Sequence, residues 1–313
     1  MIDYLLEKLN LDESRRPSIE AFSEAHRLKP YVKILENSPD IINKLKRISP
    51  EIIKDSWDCI VELYRYNIKL SKAVYPYLAI LENILKIKIT NYLKNKYGKD
   101  YYYNKDIIFE ALDLDKFDKE MFEQYLHHKI NRVIYVDLVE KYKETNPELS
   151  KDKIKSKIIK IKWAISILSD ADEYCFKNNY PNLEGFIETK PTLNYWITLL
   201  EIRKFFAKDD ESLDLKEIFP AIKNEDIKTL KTIVQKLDDI RMLRNYISHY
   251  NRIICTKISK HLTLRDIYEN IIEIFNLLGC QDVNYIVGDI TCCGQSDFEA
   301  LYSKLDFVHE IIC

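Results

Sequence analysis

Asp238-Asp239-Ile240-Arg241-Met242-Leu243-Arg244-Asn245-Tyr246-Ile247-Ser248-His249-Tyr250-Asn251-Arg252-Ile253-Ile254 is the stretch on which the reading of this chain turns. At roughly 100° per residue, Ile240, Leu243, Ile247 and Ile254 gather on one narrow side of a helix, the pattern of a core-facing stripe. Arg241, Asn245, His249 and Arg252 fall on the other side, within roughly 80° of one another and of Asp238. The spacing therefore predicts an amphipathic helix running through Arg252, with His249 turned away from its own core. Arg244 stands apart, about 140° round the helix from His249.

Outward from this helix the composition points the same way. Five glycines and nine prolines in 313 residues leave little of the punctuation that many short strands require, and 46% apolar content is ample for a core. The expected fold is all-α, a multi-helix bundle. Residues 1–50 read as an N-terminal extension of short helices broken at Pro17, Pro30 and Pro39. Residues 51–278 read as the main helical domain, and residues 279–313 as a small C-terminal appendage. Ser49-Pro50-Glu51 has the form of a helix start running to about Leu70, and Ser71 that of a cap on a second helix, together an αα-hairpin. The motif helix is expected to begin near Asn224-Glu225-Asp226. Val283–Ile290 has the pattern of a short strand, and Phe298–Ile312 that of a terminal helix.

Charge and cysteines narrow the function classes. With 48 Lys and Arg against 50 Asp and Glu, the chain lacks the global positive charge of many nucleic-acid binders, so any RNA contact has to be local. The densest basic run is Lys151–Lys162, which suits either phosphate contact or a solvated helix face. Tyr101-Tyr102-Tyr103 offers either base stacking or a loop folded onto the core, and the second fits better. Seven scattered cysteines at positions 59, 175, 255, 280, 292, 293 and 313 fit reduced thiols better than a disulfide framework. Neither His127-His128 nor Cys292-Cys293 with Cys280 has zinc-ligand spacing, so no metal or other cofactor is expected. The first residues, Met1–Lys8, lack the basic and apolar regions of a secretory signal, and no apolar run reaches the roughly 20 residues of a membrane span. A soluble, cytoplasmic protein without membrane contact is expected.

Arg244-Asn245-Tyr246-Ile247-Ser248-His249 resembles the Arg-x4-6-His signature of the HEPN superfamily, with the favoured Asn after the Arg. Two further blocks are similar to its Abi-like, or abortive-infection, members. The first is Tyr64–Asn83 followed by Tyr97-Gly98, with its Asn, Ser, Ala, Tyr and Leu-Glu positions. The second comprises Asn194–Leu200 and Ile218-Phe219-Pro220. The likeness covers roughly residues 57–260. It departs at Leu85-Lys86-Ile87-Lys88, where many relatives carry Arg-Asn, and at Tyr250, where a second histidine is common.

The resemblance implies metal-independent RNA cleavage in antiphage abortive infection or toxin action. The ribose 2′-hydroxyl attacks the adjacent phosphate and leaves a 2′,3′-cyclic phosphate. In this chain the catalytic residues would be Arg244, His249 and Asn245. Histidine is the side chain suited to moving protons near neutrality, and a guanidinium forks onto phosphoryl oxygens. Arg241, Arg252, Glu82 and Tyr250 would bind or orient substrate. The partners implied are RNA, a second copy of the chain in a homodimer, and an antitoxin RNA or protein. Arg244 would meet His249 by a long reach, by a distorted helix, or across a two-fold interface. The same polar stripe also suits a module that binds RNA or protein without cutting, and simple i,i+4 pairing on a solvated face.

Overall fold

The computed structural model describes residues 2–21, 25–126, 128, 132–178, 182–189, 192–208, 212–259, 262–281 and 297–310. These residues form fifteen α-helices with three short 3-10 turns and no strand, so the chain is all-α. The strand expected at Val283–Ile290, like His127, Cys292 and Cys293, lies outside the described residues. Among the described residues no helix is long and apolar enough to cross a membrane. The chain divides into two compact units that do not follow the three sequence segments. The first gathers residues 1–80, 239–275 and 280–313, and the second 81–238 with 276–279.

The first unit begins with α1 (Ile2–Lys8), α2 (Arg16–Glu20), α3 (Lys29–Asn37) and α4 (Ile41–Ile48). Pro17 and Pro30 occupy the first turns of α2 and α3, where a missing N–H costs nothing. The expected hairpin after Pro50 is instead one helix, α5 (Ser56–Tyr97), 42 residues long, whose first half belongs to this unit. Its start is set by Asp55, whose carboxylate accepts the Asp58 N–H at 3.0 Å. Arg15 locks that cap by bridging Asp55 and Asp58 at 2.7 and 3.1 Å. Ser49, the expected cap, ends α4. Ser71 begins no new helix either; its hydroxyl donates to the Asn67 carbonyl one turn back at 2.9 Å, as an interior serine does.

Later segments close this unit around α5. Helix α13 (Leu264–Leu277) brings Tyr268 edge-on to Tyr77 at 5.5 Å. The expected terminal helix is two short ones, α14 (Asp297–Lys304) and α15 (Asp306–His309), broken at Leu305. Phe298 of α14 stacks on Tyr268 at 3.9 Å, and Arg265 pairs with Glu299 at 2.5 Å. His309 of α15 lies flat on the Tyr302 ring, 3.7 Å between centroids, with Nε2 2.8 Å from the Tyr66 hydroxyl.

The second unit is built around α9 (Lys151–Lys177), against which α6 (Lys105–Leu112), α7 (Lys116–Tyr125), α8 (Arg132–Thr145) and α11 (Leu193–Glu201) pack. Buried Ile154, Ile158, Ile161, Ile165 and Leu168 recur at alternating four- and three-residue steps, which keeps one stripe of α9 inside. Asp118 closes a capping box with Asp115 at the start of α7 while wholly buried. Its carboxylate also accepts the Tyr142 hydroxyl and the Lys157 ammonium. Tyr101 and Tyr102 are buried, and Tyr102 stacks on Phe186 of α10 (Leu183–Thr189) at 4.5 Å. Two of the three tyrosines thus serve the core, while Tyr103 is exposed.

Two predictions follow from these contacts. Asp118→Ala strands the buried Tyr142 phenol and takes from the half-buried Lys157 one of its two carboxylates, and should lower stability by about 1–3 kcal/mol in urea unfolding; an unchanged midpoint would show that the network contributes nothing. Burial pushes the His309 imidazole down from its ordinary 6.5 to about 4. The unfolded chain then takes up the proton first as pH falls, so stability should decline from pH 6.5 toward pH 4. His309→Phe keeps a ring on Tyr302 and should flatten that part of the stability profile.

Candidate functional site

Helix α12 (Ile227–Ser248) carries Arg241, Arg244 and Asn245, and His249 follows its last residue. Asp226 starts it by accepting the Thr229 N–H at 2.7 Å, within the stretch expected to open it. Leu237, Ile240 and Leu243 are fully buried on its apolar side, whereas Ile247 is only half-buried and Ile254, though buried, lies beyond the end of the helix. The end differs from the expectation. The helix does not run through Arg252; it stops at Ser248, with His249 as its cap.

The stop is a Schellman turn. Asn251 N–H reaches back to the Tyr246 carbonyl at 2.8 Å and Tyr250 N–H to the Ile247 carbonyl at 3.0 Å. Tyr250 between them adopts the left-handed conformation, φ 54°. Glycine is usual at this position, and a tyrosine there costs about 1 kcal/mol of backbone energy. The polar stripe is therefore cut. Arg241 and Asn245 remain half-buried on α12 and His249 is exposed at its end, whereas Arg252 leaves the stripe and donates to the Pro30 carbonyl at 2.7 Å.

Asn67 of α5 anchors the chain beyond the turn. It is buried, and its Oδ1 accepts the N–H groups of Ile253 at 2.8 Å and Ile254 at 3.3 Å. Its Nδ2 faces the Asn251 carbonyl at 3.5 Å. One amide thus satisfies the backbone that would be orphaned where the helix ends. Asn67 belongs to the Tyr64–Asn83 block, but nothing in its spacing from position 249 announces this role, because the partners are backbone groups far along the chain.

Arg244 is half-buried on α12, which stays regular through Ser248, so no local distortion swings it toward His249. Glu82 is half-buried on α5 within the second unit. Tyr250 is 61% exposed, and the Arg27 guanidinium sits 5.0 Å from its ring centroid.

The surroundings are strongly basic. Three segments meet here: Arg252 ties to Pro30, Tyr31 packs edge-on to Tyr64 at 5.8 Å, and Asn67 holds Ile253. Those segments, Ala25–Leu35, Leu63–Ile80 and Ile240–Ser259, contain ten Lys and Arg and not one Asp or Glu. Local positive charge of this kind is what an otherwise balanced chain needs to hold a polyanion. Part of this charge is engaged, since Arg65 pairs with Glu62 at 3.7 Å, and the lysine run on α9 is likewise partly spent on acids. Lys157 pairs with Asp115 and Asp118, and Lys160 with Asp113 at 3.7 Å.

Among the described residues no cluster of three or more His, Cys, Asp or Glu is arranged to hold a metal ion. No protein-family model matches the chain, and neither does any curated protein or solved structure. What the site does must therefore come from its own chemistry.

Asn67→Leu should be costly, since it leaves two buried N–H groups without acceptors. The expected loss is about 2–5 kcal/mol in denaturant unfolding. Asn67→Asp, which keeps the acceptor, should recover part of it.

Proposed function

We propose that this chain is a metal-independent endoribonuclease of HEPN type, with the end of α12 as its centre. The observation that supports this reading is the solvent-exposed His249 at a helix terminus set among segments rich in Lys and Arg and empty of carboxylates. Imidazole can take the proton of a ribose 2′-hydroxyl as its oxygen attacks phosphorus, and can return one to the departing 5′-oxygen. Arg244 would stabilise the charge that builds on the phosphoryl oxygens, a task for which a guanidinium fork is better shaped than an ammonium. Asn245, one turn before His249, orients the ring or a phosphate. Arg241 and Tyr250 extend the contact with RNA, and the antiphage or toxin role carries over from the Abi-like resemblance, as does restraint by an antitoxin.

Because Arg244 and His249 lie on different sides of a regular helix, the reading includes a second copy of the chain, whose Arg244 faces His249 across a two-fold axis. Arg252 is better assigned to holding the Pro30 segment than to phosphate, given its hydrogen bond.

The purified protein should cut single-stranded RNA in the presence of EDTA and leave cyclic-phosphate ends. His249→Ala should lower the rate by about 10²–10⁴-fold, the usual worth of a general acid or base. Mixing the Arg244→Ala and His249→Ala proteins should restore part of the activity if the site is shared between copies. RNA that is bound yet stays intact would replace this reading with that of a non-catalytic binding module.

A further inference from the structure

Beside the end of α12 runs a groove of about 480 Å³, lined by Asn67, Ile68, Ser71, Lys72, Tyr75 and Pro76 of α5 and by Ile247, Ser248 and Tyr250. That volume falls within the range of small-ligand sites, about 300–1,000 Å³. We infer that this groove receives an unpaired nucleobase of the RNA, stacked against Tyr75 or Tyr250 with its phosphates on the surrounding cations. The inference rests on the ribonuclease reading for its neighbour His249, but the groove's chemistry stands separately.

Three observations carry it. First, the two tyrosines are 54% and 61% exposed beside the half-buried Ile68 and Ile247, and exposed aromatic rings in a basic groove are the usual platform for single-stranded bases. Second, the charge is complementary to a polyanion. Lys72 lines the groove, Lys69 lies one turn before it on α5, and Arg27 sits over Tyr250. No carboxylate occurs in any of the three segments that meet here.

Third, both walls contain a residue that its local structure disfavours. Pro76 lies inside α5, where it deprives the Lys72 carbonyl of its helical N–H donor. Tyr250 holds a left-handed position that glycine would fill without strain. Departures of this kind gather where function requires them, and here they face one cavity. The groove also carries polar handles for a base edge. The Ser71 oxygen keeps acceptor capacity after donating to Asn67, and Ser248 and Lys72 bring donors.

The test uses a short 2′-O-methyl RNA containing 2-aminopurine, which lacks the attacking hydroxyl and so stays intact. On the wild-type protein its fluorescence should be quenched as the base stacks. Tyr75→Ala and Tyr250→Gly should each weaken binding by about 5-fold to 100-fold and restore the fluorescence. Glycine suits the backbone at 250, so an unchanged unfolding midpoint for Tyr250→Gly will show that the loss is not one of folding. Phe176→Ala, on α9 and outside the groove, should bind and quench as the wild type does. The groove is not a base site if quenching is absent, or if both tyrosine variants bind as the wild type does. Quenching without cleavage of the matching ribo-oligonucleotide would leave the groove standing and remove the nuclease. Cleavage without quenching would do the reverse.

Discussion

The end of α12 is held by a single buried amide. Where a helix stops, four carbonyls and the N–H groups of the chain that follows lose their regular partners, and in an apolar interior each unpaired group costs about 1–3 kcal/mol. The Schellman turn at Tyr250 satisfies part of this requirement, and Asn67 satisfies the rest by accepting from Ile253 and Ile254. Asn67 sits on the longest helix of the chain, so its position is set by α5 and by the caps at Asp55 and Asp58 that start it. His249 is exposed, but its location is not loose. It lies between the last turn of α12 and a segment hydrogen-bonded to Asn67 of α5.

A position fixed by hydrogen bonds suits the proton-transferring role proposed for His249, because small misplacements of a reacting atom are expensive. It also explains a division of labour among the arginines. Arg252 spends its guanidinium on the Pro30 carbonyl and so draws the basic segment Ala25–Leu35 toward Tyr250. That brings Arg27 to the site without placing it on α12. A chain with nearly balanced total charge thereby brings together three segments that contain no Asp or Glu.

The helical character and the apolar side of α12 were legible in the sequence because both depend on periodicity, a local property. The Ile240 and Leu243 positions are buried as the spacing requires. The capping aspartate at 226 was legible for the same reason. The break between residues 70 and 71 and the continuation through Arg252 were misread, each through a residue with two uses. Serine caps helices, yet inside one it bonds its own preceding turn, as Ser71 does with Asn67. Proline ends helices, yet Pro76 sits within α5. Tyrosine has no propensity to end a helix, yet Tyr250 does so in a conformation that only its surroundings can hold.

What the sequence by itself determined is therefore the all-α class, the apolar stripe of the signature helix, and the set of residue types from which a nuclease centre can be made. What only the tertiary structure decided is where that helix ends, which arginine is spent on backbone, and which distant segments meet beside His249. The physical reason is range. Hydrophobic periodicity and capping act within a few residues, whereas the satisfaction of freed backbone groups and the summation of charge join positions nearly two hundred residues apart, as Asn67 and Ile254 are.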